Sequence, residues 1–101
     1  MDQVFVSLGI GYQHPLTHEY VLSYQEVLTV LQHITTNENM LILGGDVLNK
    51  DDQYIYENWF YSYSDSLSRK ENMIRSCDET MKFISSLSDP HKYHYVVVLG
   101  Q

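Results

Sequence analysis

Basic residues are scarce in this chain and are unevenly placed. The 101 residues include six Lys and Arg against 13 Asp and Glu, for a formal net charge of −7, and none of the six precedes Lys50. Surfaces that bind nucleic acid need cationic side chains to neutralise phosphates. The sequence therefore argues against a nucleic-acid partner. Its acidity is typical of a solubilising surface or of a face complementary to a basic protein.

Cysteine and long apolar runs are also scarce. Cys77 is the one cysteine, which excludes an internal disulfide and a thiolate metal site within the chain. No segment approaches the roughly 18 apolar residues of a membrane span, and residues 1–11 lack the basic start and apolar core of a signal peptide. We therefore expect a cytoplasmic protein with no membrane partner. No linker-like composition divides it, so we expect one domain over residues 1–101.

The first half of the chain predicts a strand, a helix and a second strand. Residues 4–8 form a short apolar and β-branched run, which favours a strand. A capping box at residues 23–26 precedes apolar residues at helical spacing, which predicts a helix ending near residue 36. Residues 40–43 are continuously apolar and precede Gly44-Gly45. We interpret them as a buried strand stopped by a turn.

The second half predicts two strands separated by a helix. Residues 54–63 are extended by composition, and the polar residues 57–58 predict a bulge. Residues 73–87 carry an apolar stripe at helical spacing, and the valine-rich residues 93–99 predict a central strand. The order β-α-β-β-α-β predicts one α+β domain, with two helices on a mostly antiparallel four-stranded sheet. That order permits a ferredoxin-like arrangement.

Residues 43–63 are the most informative segment, because a Gly-Gly-Asp triplet, an acidic loop at residues 47–53 and a dense aromatic run adjoin one another. Such aromatic residues pack in a two-sided strand or form a recognition face. We predict partner contacts from the acidic and aromatic side chains of this segment: Asp46, Asp51, Asp52, Tyr54, Tyr56, Glu57, Trp59 and Tyr61. The strongest candidates among them are Asp51, Asp52, Tyr54 and Tyr56, whereas Trp59 also has an architectural interpretation.

No catalytic or metal-binding pattern is assembled in the sequence. The Gly-Gly-Asp triplet lacks the spacing and the lysine of a phosphate loop, and Cys77 lies on the apolar stripe of a predicted helix, where thiols are normally inert. The histidine pairs have no supporting ligands at metal-site spacing: His14, His18, His91 and His94. We therefore predict a protein without cofactor, metal or enzymatic activity.

Three motifs carry a resemblance to a known family. They are LSYQEVL at residues 22–28, ILGGDV at residues 42–47 and YENWFY at residues 56–61, supported by the second helix and the final valine-rich strand. The chain resembles the immunity protein 40 family, small α+β antidote proteins encoded beside toxins in bacterial polymorphic toxin systems. The family often has Tyr directly after the tryptophan, where this chain has Phe60.

The resemblance implies a protein that binds and neutralises a cognate toxin domain stoichiometrically, without turnover. The acidic charge favours a basic toxin, such as a nuclease, and leaves the oligomeric state open. Two alternatives remain. The first is an accessory or regulatory module that uses the same acidic and aromatic face on an unrelated partner, and the second is a small enzyme that works through Asp46 and Glu57.

Overall fold

A computed structural model of the chain describes residues 3–36 and 40–100. Within these ranges it is an α+β protein, which confirms the predicted class. The elements in chain order are α1 (Gln3–Leu8), β1 (Tyr12–Gln13), β2 (Tyr20–Val21), α2 (Tyr24–Thr35), β3 (Leu41–Leu48), β4 (Tyr54–Phe60), α3 (Arg69–Ser85), a 3-10 turn (Pro90–Lys92) and β5 (His94–Gly100). None of the described helices is long and apolar enough to cross a membrane.

The larger sheet has β3 at its centre, in the order β4-β3-β5, and both pairings are antiparallel. β1 and β2 form a separate two-stranded ribbon, and an isolated bridge between Leu22 and Tyr95 connects the segment after β2 to β5. The expected four-stranded sheet is therefore replaced, in the described residues, by three strands and a ribbon. β5 was predicted to be central, but β3 holds that place.

The first element is a helix, so the predicted strand at residues 4–8 is wrong, and with it the order β-α-β-β-α-β. Val4 and Phe5 are buried and Val6 is exposed, which is how one short helical turn presents adjacent residues. Residues 4–8 are too few to show a helical or strand period. Their β-branched composition alone therefore predicted a strand where the structure has a helix.

α2 and α3 both begin with the capping boxes expected of stable helices. Ser23 accepts from the Glu26 amide and Ser68 from the Glu71 amide, and each glutamate bonds back to the amide of its serine. Their apolar faces share one core with the sheet; it includes Val27, Val30, Ile34, Ile42, Val47, Trp59, Met73, Cys77, Ile84, Val97 and Leu99. The two predicted helices are confirmed, the first almost to the residue.

β3 passes straight through Gly44 and Gly45, so the predicted turn there is wrong. Gly44 has φ +154°, and a Cβ on it would lie 2.3 Å from the Trp59 carbonyl oxygen. A Cβ on Gly45 would lie 2.2 Å from the Val96 carbonyl oxygen and 2.4 Å from the Trp59 ring. The glycines therefore allow close packing inside the sheet. Asp46 consequently lies in the middle of a strand.

An irregularity interrupts β4 next to the predicted bulge. Asp46 pairs with Asn58 and Leu48 with Tyr54, so two steps along β3 oppose four along β4. Tyr56, inside this excess, has φ +63°. Because β3 ends at Leu48, the polar loop begins two residues later than expected.

Candidate functional site

The two faces of the three-stranded sheet have different surroundings. One face packs on the helices. On the other face, Val21, Leu48 and Val96 form a small cluster at one end, with Tyr54 against it. The opposite end is a shallow hollow of about 280 Å³. We define the open face as five residues that line this hollow: Leu43, Asp46, Asn58, Phe60 and Val98.

Strand register places the apolar members of the open face around a glycine. Gly44 pairs with Phe60 on one side and with Val98 on the other. Leu43 is the extra residue where the β3–β5 register shifts. All three side chains are exposed. Gly44, which has no side chain, therefore forms the floor of a depression bordered by large apolar groups.

The polar border of the open face is acidic. Asp46 is half-buried, and its pKa is raised by burial and by the nearby charge of Glu19. Glu19 in turn accepts a hydrogen bond from the Tyr54 hydroxyl at 2.5 Å. β3, β4 and β5 contain no Lys or Arg. Four of the six basic residues lie instead on α3: Arg69, Lys70, Arg75 and Lys82.

A second group of polar side chains meets at the turn between β3 and β4. The Asp52 carboxylate accepts from the Tyr12 hydroxyl and lies 2.8 Å from Nδ1 of His94, while its main-chain carbonyl lies 2.9 Å from Nε2 of His14. We call these four residues the Asp52 cluster. They join β1, the turn and β5, so the predicted contact residue Asp52 has its carboxylate engaged within the molecule. A partner role for it stays a prediction.

The Asp52 cluster shifts two pKa values. Burial opposes ionisation of Asp52, but hydrogen bonds with Tyr12 and His94 prevail, and its pKa is lowered. Burial and the Asp52 carboxylate raise the pKa of Tyr12 to about 12. The sequence did not single out Tyr12, His14 or His94 as partners of Asp52, because they lie about 40 residues from it along the chain.

Two of the predicted contact residues hold β4 to α3. The indole of Trp59 is buried, donates to Thr80 Oγ1 at 3.0 Å and stacks on Phe83 with ring centroids 5.1 Å apart. The Tyr61 hydroxyl donates to Asn72 Oδ1 at 2.6 Å. Both residues therefore have a structural role, and Trp59 also lines the hollow of the open face.

Other predicted residues are free to contact a partner. Tyr56 is 95% exposed, and its neighbour Glu57 and the turn residue Asp51 are also exposed. Tyr54 is half-buried. These residues lie in the turn and in β4, and only Asp46 and Trp59 of the predicted set line the hollow of the open face, so the contact set stays a prediction.

The cysteine and the carboxylates considered for catalysis do not form a common site. Cys77 is buried in the core, and burial raises the pKa of its thiol to about 11, so little thiolate forms at neutral pH. Glu57 does not line the hollow that contains Asp46, so the pair considered for a carboxylate enzyme does not share that cleft. Across residues 3–36 and 40–100, no group of three or more His, Cys, Asp and Glu could hold a metal ion.

The fold and the open face define an α+β protein with exposed apolar and acidic side chains on one side of its sheet. The chain belongs to the immunity protein 40 family, whose model it matches over residues 6–100, nearly its whole length. The family that the sequence motifs indicated is thereby confirmed. No curated protein and no solved structure matches the chain.

Proposed function

We propose that this protein is an immunity protein that binds and neutralises a cognate bacterial polymorphic toxin. The family match over residues 6–100 supports this function, because it covers nearly the whole fold rather than a single motif. Inhibition is by stoichiometric binding in the cytoplasm of the cell that makes the toxin. Its mechanism requires a complementary surface and no catalytic group of the immunity protein.

The contact surface combines charge with aromatic area. Asp46, Asp51 and Glu57 supply negative charge, and the exposed Tyr56 supplies a large contact area at low entropy cost. A typical stable complex buries about 1,600 Å² in total. The formal charge of −7 favours a basic toxin domain, such as a nuclease, through faster association.

Co-expression tests the proposal directly. The probe is the toxin domain encoded next to this chain, produced in bacteria with the chain or with an immunity protein of a different family as control. We expect growth to be rescued by this chain alone, and a 1:1 complex of the purified proteins in light scattering. Absence of both rescue and complex would refute the proposal.

A complex without rescue would instead favour the accessory binding module. In that case the chain would bind the toxin domain through the proposed surface, but binding would not neutralise the toxin. Isothermal titration of the purified proteins, run beside the growth assay, separates these results.

A further inference from the structure

We propose that the open face is the docking surface for the toxin, and that the toxin presents to it an apolar side chain flanked by Lys or Arg. The inference rests on the proposed function and adds to it the location of the interface and the chemistry of the partner surface. Three features of the structure support it.

The first feature is the exposure of three large apolar side chains on adjacent strands. Leu43 on β3, Phe60 on β4 and Val98 on β5 line one hollow. Most exposed apolar side chains on a protein are scattered singly, whereas contiguous groups mark interaction sites. In the described residues, other large exposed apolar side chains, such as Val6 on α1, Leu16 between β1 and β2 and Ile74 on α3, do not line this hollow.

The second feature is the shape of the surface. Gly44 forms the floor between Phe60 and Val98, so the hollow of about 280 Å³ can accept a protruding side chain. Trp59, which also lines the hollow, is held by a hydrogen bond to Thr80 and by stacking on Phe83. Interface hot spots are often such preformed pockets, into which one anchor residue inserts.

The third feature is the negative charge at one border of the hollow. Asp46 lines the hollow and lies near Glu19, and the three strands carry no cation. α3 carries four cations, of which Lys82 lines a neighbouring hollow with Phe60 and Glu79. A cationic partner would thus be attracted to the open face in the correct orientation. A second copy of this chain fits poorly, because a two-fold interface would bring Asp46 and Glu19 close to their own equivalents.

The test measures binding of the purified, catalytically inactivated toxin domain to variants of the open face. Phe60→Ser and Val98→Ser remove apolar contacts, and the matched control is Ile74→Ser on α3, since Val98 and Ile74 are 42% and 45% exposed. We expect the dissociation constant to rise at least about tenfold for Phe60→Ser and about threefold for Val98→Ser, and to change less than about twofold for the control.

Charge is tested separately. Asp46→Lys should lower the association rate constant at least about fivefold at low salt and weaken its dependence on ionic strength. The matched control, Asp78→Lys on the exposed side of α3, should leave both within about twofold. Circular dichroism and urea unfolding confirm that each variant is folded, and Asp46→Asn replaces Asp46→Lys if the latter is not.

The results distinguish the two proposals. If the wild-type chain neither binds nor protects, the proposed function fails. If the wild-type chain binds and the open-face variants bind equally well, the function stands and the docking surface is refuted. A wild-type dimer that Phe60→Ser dissociates, with toxin binding unchanged, would also refute it, because the face would then join two copies of this chain. Sedimentation velocity supplies that measurement.

Discussion

Trp59 and Phe60 are neighbours in β4, yet their rings have opposite surroundings. Trp59 is 8% exposed and packs between the sheet and α3, whereas Phe60 is 78% exposed on the open face. The strand alternates, so adjacent side chains project to opposite faces. The same aromatic run therefore supplies a core side chain on one face of the sheet and an exposed side chain on the other.

The polar groups show why each ring suits its place. The Trp59 N–H is buried and has a partner in Thr80, so its burial leaves no unsatisfied donor. The Phe60 side chain has no polar group, and the fold does not depend on its burial. Trp59, which builds the fold, is thus hydrogen-bonded and buried, whereas Phe60, which we propose contacts a partner, is exposed.

The largest effect on stability is expected when the buried ring of Trp59 is removed. Trp59→Ala should lower the free energy of unfolding by about 3–5 kcal/mol, because it removes a large buried side chain above Gly45 and leaves a cavity beside α3. Phe60→Ala is the matched neighbour and should change stability by less than about 0.5 kcal/mol. Urea unfolding followed by circular dichroism measures both. Equal losses would show that the two faces do not differ as described.

A smaller but substantial effect is expected at the buried amide of Asn72. Its Oδ1 accepts from the Tyr61 hydroxyl at 2.6 Å and from the Ser64 amide at 2.8 Å, and its Nδ2 donates to the carbonyls of Ser64 and Ser68. Asn72→Ala leaves the Tyr61 hydroxyl and the Ser64 amide without these partners, while the Ser64 and Ser68 carbonyls keep main-chain partners, and it should cost about 2–3 kcal/mol.

The control for this change is Asn58→Ala on the open face, which should cost less than about 0.5 kcal/mol. Hydrogen exchange gives an independent readout, since the Ser64 amide should lose protection in Asn72→Ala and keep it in Asn58→Ala. A larger cost for Asn58 would mean that the open face stabilises the fold.

The parts of the fold that the sequence predicted depend on local interactions. Ser23 and Glu26 lie three residues apart, so their capping box can be read directly, and the helix that follows shows its period over 12 residues. α1 has six residues and shows no period, so it was taken for a strand. Gly44 and Gly45 indicate a backbone position where a side chain would not fit. Whether the reason is a turn or close packing against another strand depends on Trp59 and a neighbouring strand, which are not local in sequence.

The candidate site was predictable only in part, for the same reason. The motif segment contains Asp46 and Phe60, but their common face depends on strand register and on where the helices pack. Tyr12 and His94 contact Asp52 from 40 and 42 residues away along the chain, and no local pattern specifies such distant partners. Val98 belongs to the open face through its pairing with Gly44, which the sequence of β5 alone does not reveal.

The Asp52 carboxylate is expected to stabilise the fold through its contacts with Tyr12 and His94. Asp52→Asn keeps a residue that tolerates φ +61° and removes the charge, so it should cost about 1 kcal/mol at pH 7. Because the pKa of Asp52 is lowered in the folded state, its stabilisation is present above the ordinary pKa of about 3.9 and is lost as the pH falls through the lowered value.

The difference between wild type and Asp52→Asn should therefore shrink in acid, as measured by urea unfolding from pH 7 to pH 2. Asp51→Asn, which changes an exposed carboxylate in the same turn, is the matched control and should cost less than about 0.5 kcal/mol at pH 7. A pH-independent difference for Asp52→Asn would show that its carboxylate charge does not stabilise the turn.

The smallest effect is expected at Asp46, with the opposite sign. Burial and Glu19 raise its pKa, so the fold favours the protonated form, and this contribution is lost as the pH rises from the ordinary value through the raised one. At pH 7 the ionised carboxylate therefore costs stability. Asp46→Asn should raise the free energy of unfolding by up to about 0.5 kcal/mol, while Glu57→Gln, fully outside the hollow, should leave it unchanged.

Asp46→Asn should also slow association with the toxin, because it removes a charge that attracts a basic partner. A residue that lowers stability and raises the rate of binding is expected on a contact surface and not in a structural core. Urea unfolding at pH 7 and stopped-flow association at low salt provide the two measurements on the same protein. If Asp46→Asn instead destabilised the chain and left association unaltered, Asp46 would belong with Trp59 among the residues that build the fold.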